Sequence, residues 1–240
     1  MKVIYKVLVF TVLVFAPVAV QAQVIISLVF GEALNSDKIE FGLKGGMNRS
    51  YISSISNSEG LNNFDLGFYF HIHMMNNSYL STGVHVKSNV GATGMATYSL
   101  GDPDLDAVFS QGTLTRKIPV FYVPILWHQR FNNRWYIEAG PQLGLIHQSV
   151  NIFEAEQPDG DVSYTTKVQD EIKRIDMGLT GGIGYKFKQE IKSTAVGVNY
   201  YYGLVDVSKT PDFEIRNSSI YFYVKVPIGS GKEAKSTDKL

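Results

Sequence analysis

The chain contains no cysteine. That excludes a disulfide framework, a zinc ribbon, a thiol nucleophile and a lipid-modified N-terminal cysteine. It also lacks an excess of either charge. Lys and Arg number 22 against 22 Asp and Glu in 240 residues, so there is no basic footprint for nucleic acid. No HExxH, GxSxG or phosphate-loop pattern occurs. Gly181-Gly182-Ile183-Gly184 lies in a strand-like stretch with no helix after it, and so does not read as a nucleotide fingerprint. Beyond the N-terminus no run approaches the ~18 apolar residues of a spanning helix. Glycine (22) and aromatic residues (12%) are plentiful instead, a composition that suits strands.

Residues 1–22 read as a secretory signal. Lys2 and Lys6 supply its charged start, Val7–Val20 an apolar stretch interrupted by Thr11 and Pro17, and Val20-Gln21-Ala22 a cleavage site after Ala22. Residues 23–38 form a lead-in expected on the periplasmic side.

From residue 39 the sequence alternates with period two, as strands do because successive side chains point to opposite faces. In Phe64–Met74, Phe64, Leu66, Phe68, Phe70, Ile72 and Met74 share one face, and Asp65, Gly67, Tyr69, His71 and His73 the other. Ile39–Met47, Leu80–Val90, Phe121–Phe131, Trp135–Ile146, Ile175–Phe187, Val196–Tyr202 and Ile220–Ile228 behave alike. Eight such segments, each near the ~9–11 residues that cross a membrane at a tilt, match a bacterial outer-membrane barrel. Glycines such as Gly42, Gly67, Gly144, Gly184 and Gly197 crowd the polar face, as a narrow lumen requires. Phe131, Trp135, Phe187, Tyr200 and Tyr202 sit at the ends of the apolar face, where a membrane interface favours aromatic rings. Connections alternate between tight turns (Asn76-Asn77, Asn132-Asn133, Lys188–Glu190) and long segments (48–63, 91–114, 151–173, 203–219). Short periplasmic turns and long extracellular loops give this order. The expected fold is all-β: an eight-stranded antiparallel up-and-down transmembrane β-barrel over residues 39–228, followed by a polar tail, 229–240. Its expected location is the cell outer membrane, with outer-membrane lipid around it.

Several stretches resemble a known family. They are Phe41-Gly42-Leu43-Lys44-Gly45-Gly46-Met47-Asn48, and Val123-Pro124-Ile125-Leu126 followed by Arg130-Phe131-Asn132-Asn133-Arg134-Trp135-Tyr136-Ile137-Glu138-Ala139-Gly140-Pro141. Gly181-Gly182-Ile183-Gly184-Tyr185 with Asn199-Tyr200-Tyr201-Tyr202-Gly203-Leu204 completes the set. Over roughly residues 39–226 the chain resembles the PorT-like outer-membrane β-barrels of Bacteroidota. The resemblance implies an eight-stranded barrel in the outer membrane, delivered by the barrel-assembly machinery, and little chemistry. The family's name-giving member serves the type IX secretion pathway, but no motif ties this chain to that role. Family barrels usually finish on an aromatic residue. Here the last strand ends Val226-Pro227-Ile228.

The remaining candidates for chemistry are few. His71 and His73 share the inward face, and the Asn76-Asn77 turn brings His85 alongside, which suggests a metal set. A polar network filling the lumen is the preferred reading, with Lys44, His71, His73, His85, Lys87, His128, Arg130, Glu138 and Asp176 as members and Lys186 and Lys225 extending it. In it His128 or Arg130 pairs with Glu138, which neutralises a buried carboxylate. His147-Gln148-Ser149, followed by Glu154 and Glu156, resembles the set of an outer-leaflet lipid A deacylase, whose serine needs a neighbouring base. Asp102, Asp104 and Asp106 have the spacing of a calcium loop, but Pro103 and the missing closing glutamate argue for a solvated acidic loop. The expectation is a non-enzymatic barrel without catalytic, cofactor or metal residues. It would act structurally or through a protein partner at its extracellular loops. A narrow channel, a secretion-pathway accessory and the lipid enzyme are the alternatives.

Overall fold

The computed structural model describes residues 38–52, 55, 58, 60–158, 160–190, 192–210 and 214–228, together with Glu59. The expected signal, most of the lead-in and the polar tail lie outside the described residues.

Among the described residues ten strands form: β1 (Ile39–Ile52), β2 (Glu59–Met75), β3 (Ser78–Met95), β4 (Thr113–Arg130), β5 (Trp135–Ile146), β6 (Val150–Gln157), β7 (Gly160–Lys167), β8 (Ile175–Lys186), β9 (Ala195–Gly203) and β10 (Asn217–Pro227). Among the described residues one short α-helix, α1 (Pro103–Phe109), precedes β4. Eight strands close on themselves in the order β1-β2-β3-β4-β5-β8-β9-β10, and β10 returns antiparallel to β1 from Gly42↔Pro227 to Ile52↔Asn217. Closure leaves no sheet edge toward lipid. The other two strands form a hairpin, in which β6 continues the sheet beside the first residues of β4 (Thr113↔Glu154 to Lys117↔Val150).

The apolar face of the alternation points outward. Phe64, Met74, Leu145, Leu179, Ile183 and Phe222 are each about half exposed on the outer wall, while Asp65, His71, Glu138 and Asp176 are buried inside. A soluble protein does not display an apolar belt of this extent, whereas a membrane barrel needs one. The lumen is filled by tyrosines lying across glycines on the neighbouring strand. A Cβ added at Gly144 would come 2.7 Å from the Tyr122 ring, and one at Gly197 would come 2.5 Å from the Tyr223 hydroxyl.

Short turns join the strands at one end. In the two-residue turn after β2, Asn76 takes a left-handed φ of 47°, which asparagine tolerates. At the other end the strands run further than the alternation suggests. The first long connection shrinks to 53–58, and the third carries the β6–β7 hairpin.

One register shift redirects side chains. Between His85 and Ser88 of β3, three steps oppose two on β4 (Tyr122 to Val120). This bulge turns both Val86 and Lys87 outward. From there on Ser88, Val90 and Ala92 face inward.

Candidate functional site

The inward residues of β1 change character along the barrel. From the short-turn end they read Glu40, Lys44, Asn48, Ser50 and Ile52, all buried. Charge gives way to neutral polar groups and then to apolar ones; β5 runs the same way through Glu138, Gln142 and Ile146, whereas β8 ends on the buried Asp176.

The charged layer centres on Glu138 and Glu40. Glu138 Oε1 accepts from His128 Nδ1 at 2.8 Å and from Lys225 Nζ at 2.5 Å. Its other oxygen takes the Tyr223 hydroxyl at 3.3 Å. Glu40 accepts from Tyr69 (2.9 Å) and Arg130 (2.6 Å). Arg130 also donates from Nε to His128 Nε2 at 3.2 Å, which leaves the His128 proton on Nδ1, facing Glu138. His71 stacks on His128 with ring centroids 4.2 Å apart and lies between Arg130 and Lys225. One turn further in, Lys44 Nζ meets His85 Nε2 at 3.3 Å, and His85 Nδ1 faces Asp65 at 3.0 Å. Asp176 is held by neutral donors, Tyr122 and Tyr201 at 2.8 Å and Asn217 at 3.0 Å. Ion pairs buried this fully are retained only when their remaining hydrogen-bonding capacity is met.

The structure thus brings together Lys44, His71, His85, His128, Arg130, Glu138 and Asp176 inside the lumen, with Lys186 and Lys225. It separates two expected members. Lys87 points outward, its ammonium 5.7 Å from the Phe64 ring centre, because the bulge inverts the parity there. His73 is exposed at the short-turn rim, with Nε2 2.8 Å from Asn76 O. His71, His73 and His85 therefore do not converge on a metal position. His71, His128 and Glu138 do approach one another, with ligand atoms within 4.8 Å. The Lys225 ammonium already bridges His71 and Glu138, and it stands where a metal cation would.

The deacylase-like set is also taken apart. β5 ends at Ile146, and β6 begins at Val150. Across that break His147 stays outside, stacked on Phe121 at 4.5 Å, whereas Ser149 turns inward and is buried. The acidic loop folds as α1. Asp102 caps it, accepting from Asp104 N at 2.9 Å, and Pro103 opens it. Asp106 accepts from Ser99 Oγ and from Leu100 N, which hold its carboxyl below the usual range.

Sequence reasoning missed the apolar cap. Ile52, Val90, Ile118, Val120, Ile146, Phe109, Phe153, Val207 and Ile215 form one buried cluster. It fills the long-loop end of the barrel and joins α1 and the later loops to the wall. The period-two pattern does continue through Ile118-Pro119-Val120, but with the apolar side chains turned in.

A model of the family described as outer membrane protein beta-barrel domain matches residues 21–209. The chain belongs to that family. It is an outer-membrane protein. Barrels of this class carry their short turns on the periplasmic side and their long loops outside the cell. Among solved structures it is similar to Ail of Yersinia pestis (12% identity over 78% of this chain and 97% of that chain, TM-score 0.39). It is also similar to Neisserial surface protein A (12% identity, 78% and 96%, TM-score 0.36) and to OprG of Pseudomonas aeruginosa (10% identity, 78% and 93%, TM-score 0.31). No curated protein sequence matches it.

Proposed function

We propose that this outer-membrane barrel is a non-enzymatic interaction protein that engages a protein partner through its extracellular ridge. The observation that carries the reading is strand β7. Among the described residues it pairs only with β6, so its outer edge keeps a row of backbone donors and acceptors without strand partners. Val162 and Tyr164 stand exposed on it. An edge of this kind accepts an added strand. The ridge is held rigidly, since Phe153 of β6 packs against Phe109 of α1 with centroids 6.0 Å apart.

The lumen serves in this reading as a structural plug, not a pathway. Glu40 is paired with Arg130 and Glu138 with Lys225, Asp176 is held by neutral donors, and the apolar cap closes the long-loop end. The separation of His147 from Ser149 speaks against the lipid enzyme. The motifs around Gly42 and Asn132-Asn133 support a PorT-like position within the family, with export through residues 1–22, cleavage after Ala22 and insertion by the barrel-assembly machinery.

A photoreactive residue at Ser163 in intact cells tests the interaction. The expected result is a discrete crosslinked adduct that disappears in Val162→Lys/Tyr164→Lys while the barrel remains heat-modifiable on a gel. No adduct, or one indifferent to the two lysines, overturns the reading.

A further inference from the structure

The periplasmic rim and the outer wall carry two depressions that share one residue. The first, of about 290 Å³, lies under the β4–β5 turn and is lined by Arg130, Arg134, Lys186 and Lys188 with Trp135. The second is an apolar furrow of about 600 Å³ on the lipid-facing wall. It runs from Trp135 past Tyr185, Val196 and Val198 to Phe222 and Val224. Trp135 is the wall common to both.

Charge distinguishes the two ends. The first depression has four cationic side chains against two carboxylates, Glu40 behind Arg130 and Lys186, and Glu190 beside Lys188 at 3.7 Å. Arg134 occupies the junction. Its guanidinium lies 5.0 Å from the Tyr185 ring centre, and Nη1 donates to Phe187 O at 3.2 Å. Arg134 also holds a left-handed φ of 73°. Glycine or asparagine normally fills such a position, and a bulkier residue there costs backbone energy. The contacts with Tyr185 and Phe187 hold the guanidinium at the junction of the two depressions.

We propose that these depressions form one binding site for an anionic phospholipid of the inner leaflet. Arg134 and Lys188 take the phosphate, Trp135 and Tyr185 sit at the glycerol level, and an acyl chain fills the furrow. Arginine suits phosphate because its planar donors match two oxygens at once, and lysine adds a point charge. The basic end is periplasmic, which selects inner-leaflet phospholipid over the lipid A of the opposite leaflet.

The tryptophans provide the probe. The chain has two, Trp127 and Trp135. In Trp127→Phe, emission therefore reports on Trp135 alone. The full-length barrel is refolded into phosphatidylcholine vesicles and titrated with phosphatidylglycerol or phosphatidylcholine brominated on the acyl chains. Half-quenching is expected at a mole fraction about fivefold lower, or lower still, for phosphatidylglycerol, because each cation near a headgroup contributes roughly that factor. Arg134→Gly/Lys188→Gln is expected to abolish the preference. Glycine relieves the strained φ, so this variant keeps its heat-modifiable fold. Equal quenching by the two lipids overturns the proposal, as does a preference that survives the double substitution. Loss of the preference on adding millimolar inorganic phosphate would assign the basic end to free phosphate and overturn the lipid assignment.

Discussion

Tyr136 of β5 lies so closely across Gly184 of β8 that a Cβ at residue 184 would come 2.2 Å from the tyrosine Cζ. The pair faces the lumen, and the Tyr136 hydroxyl reaches Tyr223 at 3.2 Å. Gly181, three residues earlier, faces the other way, and its nearest neighbour is Glu138 O at 3.9 Å.

Gly184→Ala should therefore displace Tyr136 and cost about 1–3 kcal/mol. Gly181→Ala should be nearly neutral, within about 0.5 kcal/mol. Urea titration of the barrel refolded in vesicles measures both. Equal effects at the two glycines would mean that the tyrosines do not pack as described.

The Glu138–Lys225 pair makes a second test. Removing only Lys225, as Lys225→Met, leaves a buried carboxylate without its ammonium and should cost about 3–5 kcal/mol. Glu138→Gln combined with Lys225→Met should cost less than the two single changes added, with a coupling of about 1 kcal/mol or more. Additive losses would show that Lys225 does not compensate Glu138.

How much of this was legible in the sequence depends on where the lipid ends. Between Phe64 and Met74, or Phe121 and Phe131, lipid demands apolar residues outside, so polarity alone identifies the faces. The bulge at Val86-Lys87 has no local signature, since neither residue is the glycine or proline that would mark one, and the alternation continued from Leu80 therefore puts Lys87 inside. Above the membrane the wall meets water on its outside, and the rule inverts. Val90, Ile118 and Ile146 turn inward there to build the apolar cap. The β6–β7 hairpin left a trace in Pro158-Asp159-Gly160, a turn signal between two strand-like runs. Which charges pair within the lumen depends on register across closure, such as Lys44↔Lys225 between β1 and β10. No local pattern reports that.

The last long loop should loosen in acid. Burial pushes the Asp206 carboxyl up, but the N–H groups of Ile215 (2.8 Å) and Ser208 (2.9 Å), with Lys173, more than offset this and hold it below its usual value of 3.8. A depressed carboxyl contributes stability that is present above its unfolded pKa and lost as pH falls through the folded one. Protease cleavage within 204–216 should therefore stay slow near neutrality and rise only as pH drops below about 4. Asp206→Asn should raise cleavage at neutral pH and flatten the acid response. An unchanged profile in Asp206→Asn would remove the carboxylate from the loop's anchoring.

Ion conduction tests the two halves of the lumen together. An ion entering from the periplasm meets the layer of Glu40, Arg130, Glu138 and Lys225, in which each charge is already matched. Beyond it lies the apolar cap around Ile118, Val120 and Ile146. A bare ion in such surroundings carries a desolvation penalty of several kcal/mol or more. The two barriers stand in series, so opening one should leave the other closed. Arg130→Ala should thus remain silent in a planar bilayer, like the unmodified protein. Conductance steps should require that change combined with small polar replacements in the cap, such as Ile118→Ser and Ile146→Ser. Conduction by Arg130→Ala alone would mean that the cap does not seal the barrel, and conduction by the unmodified protein would make the lumen a pathway.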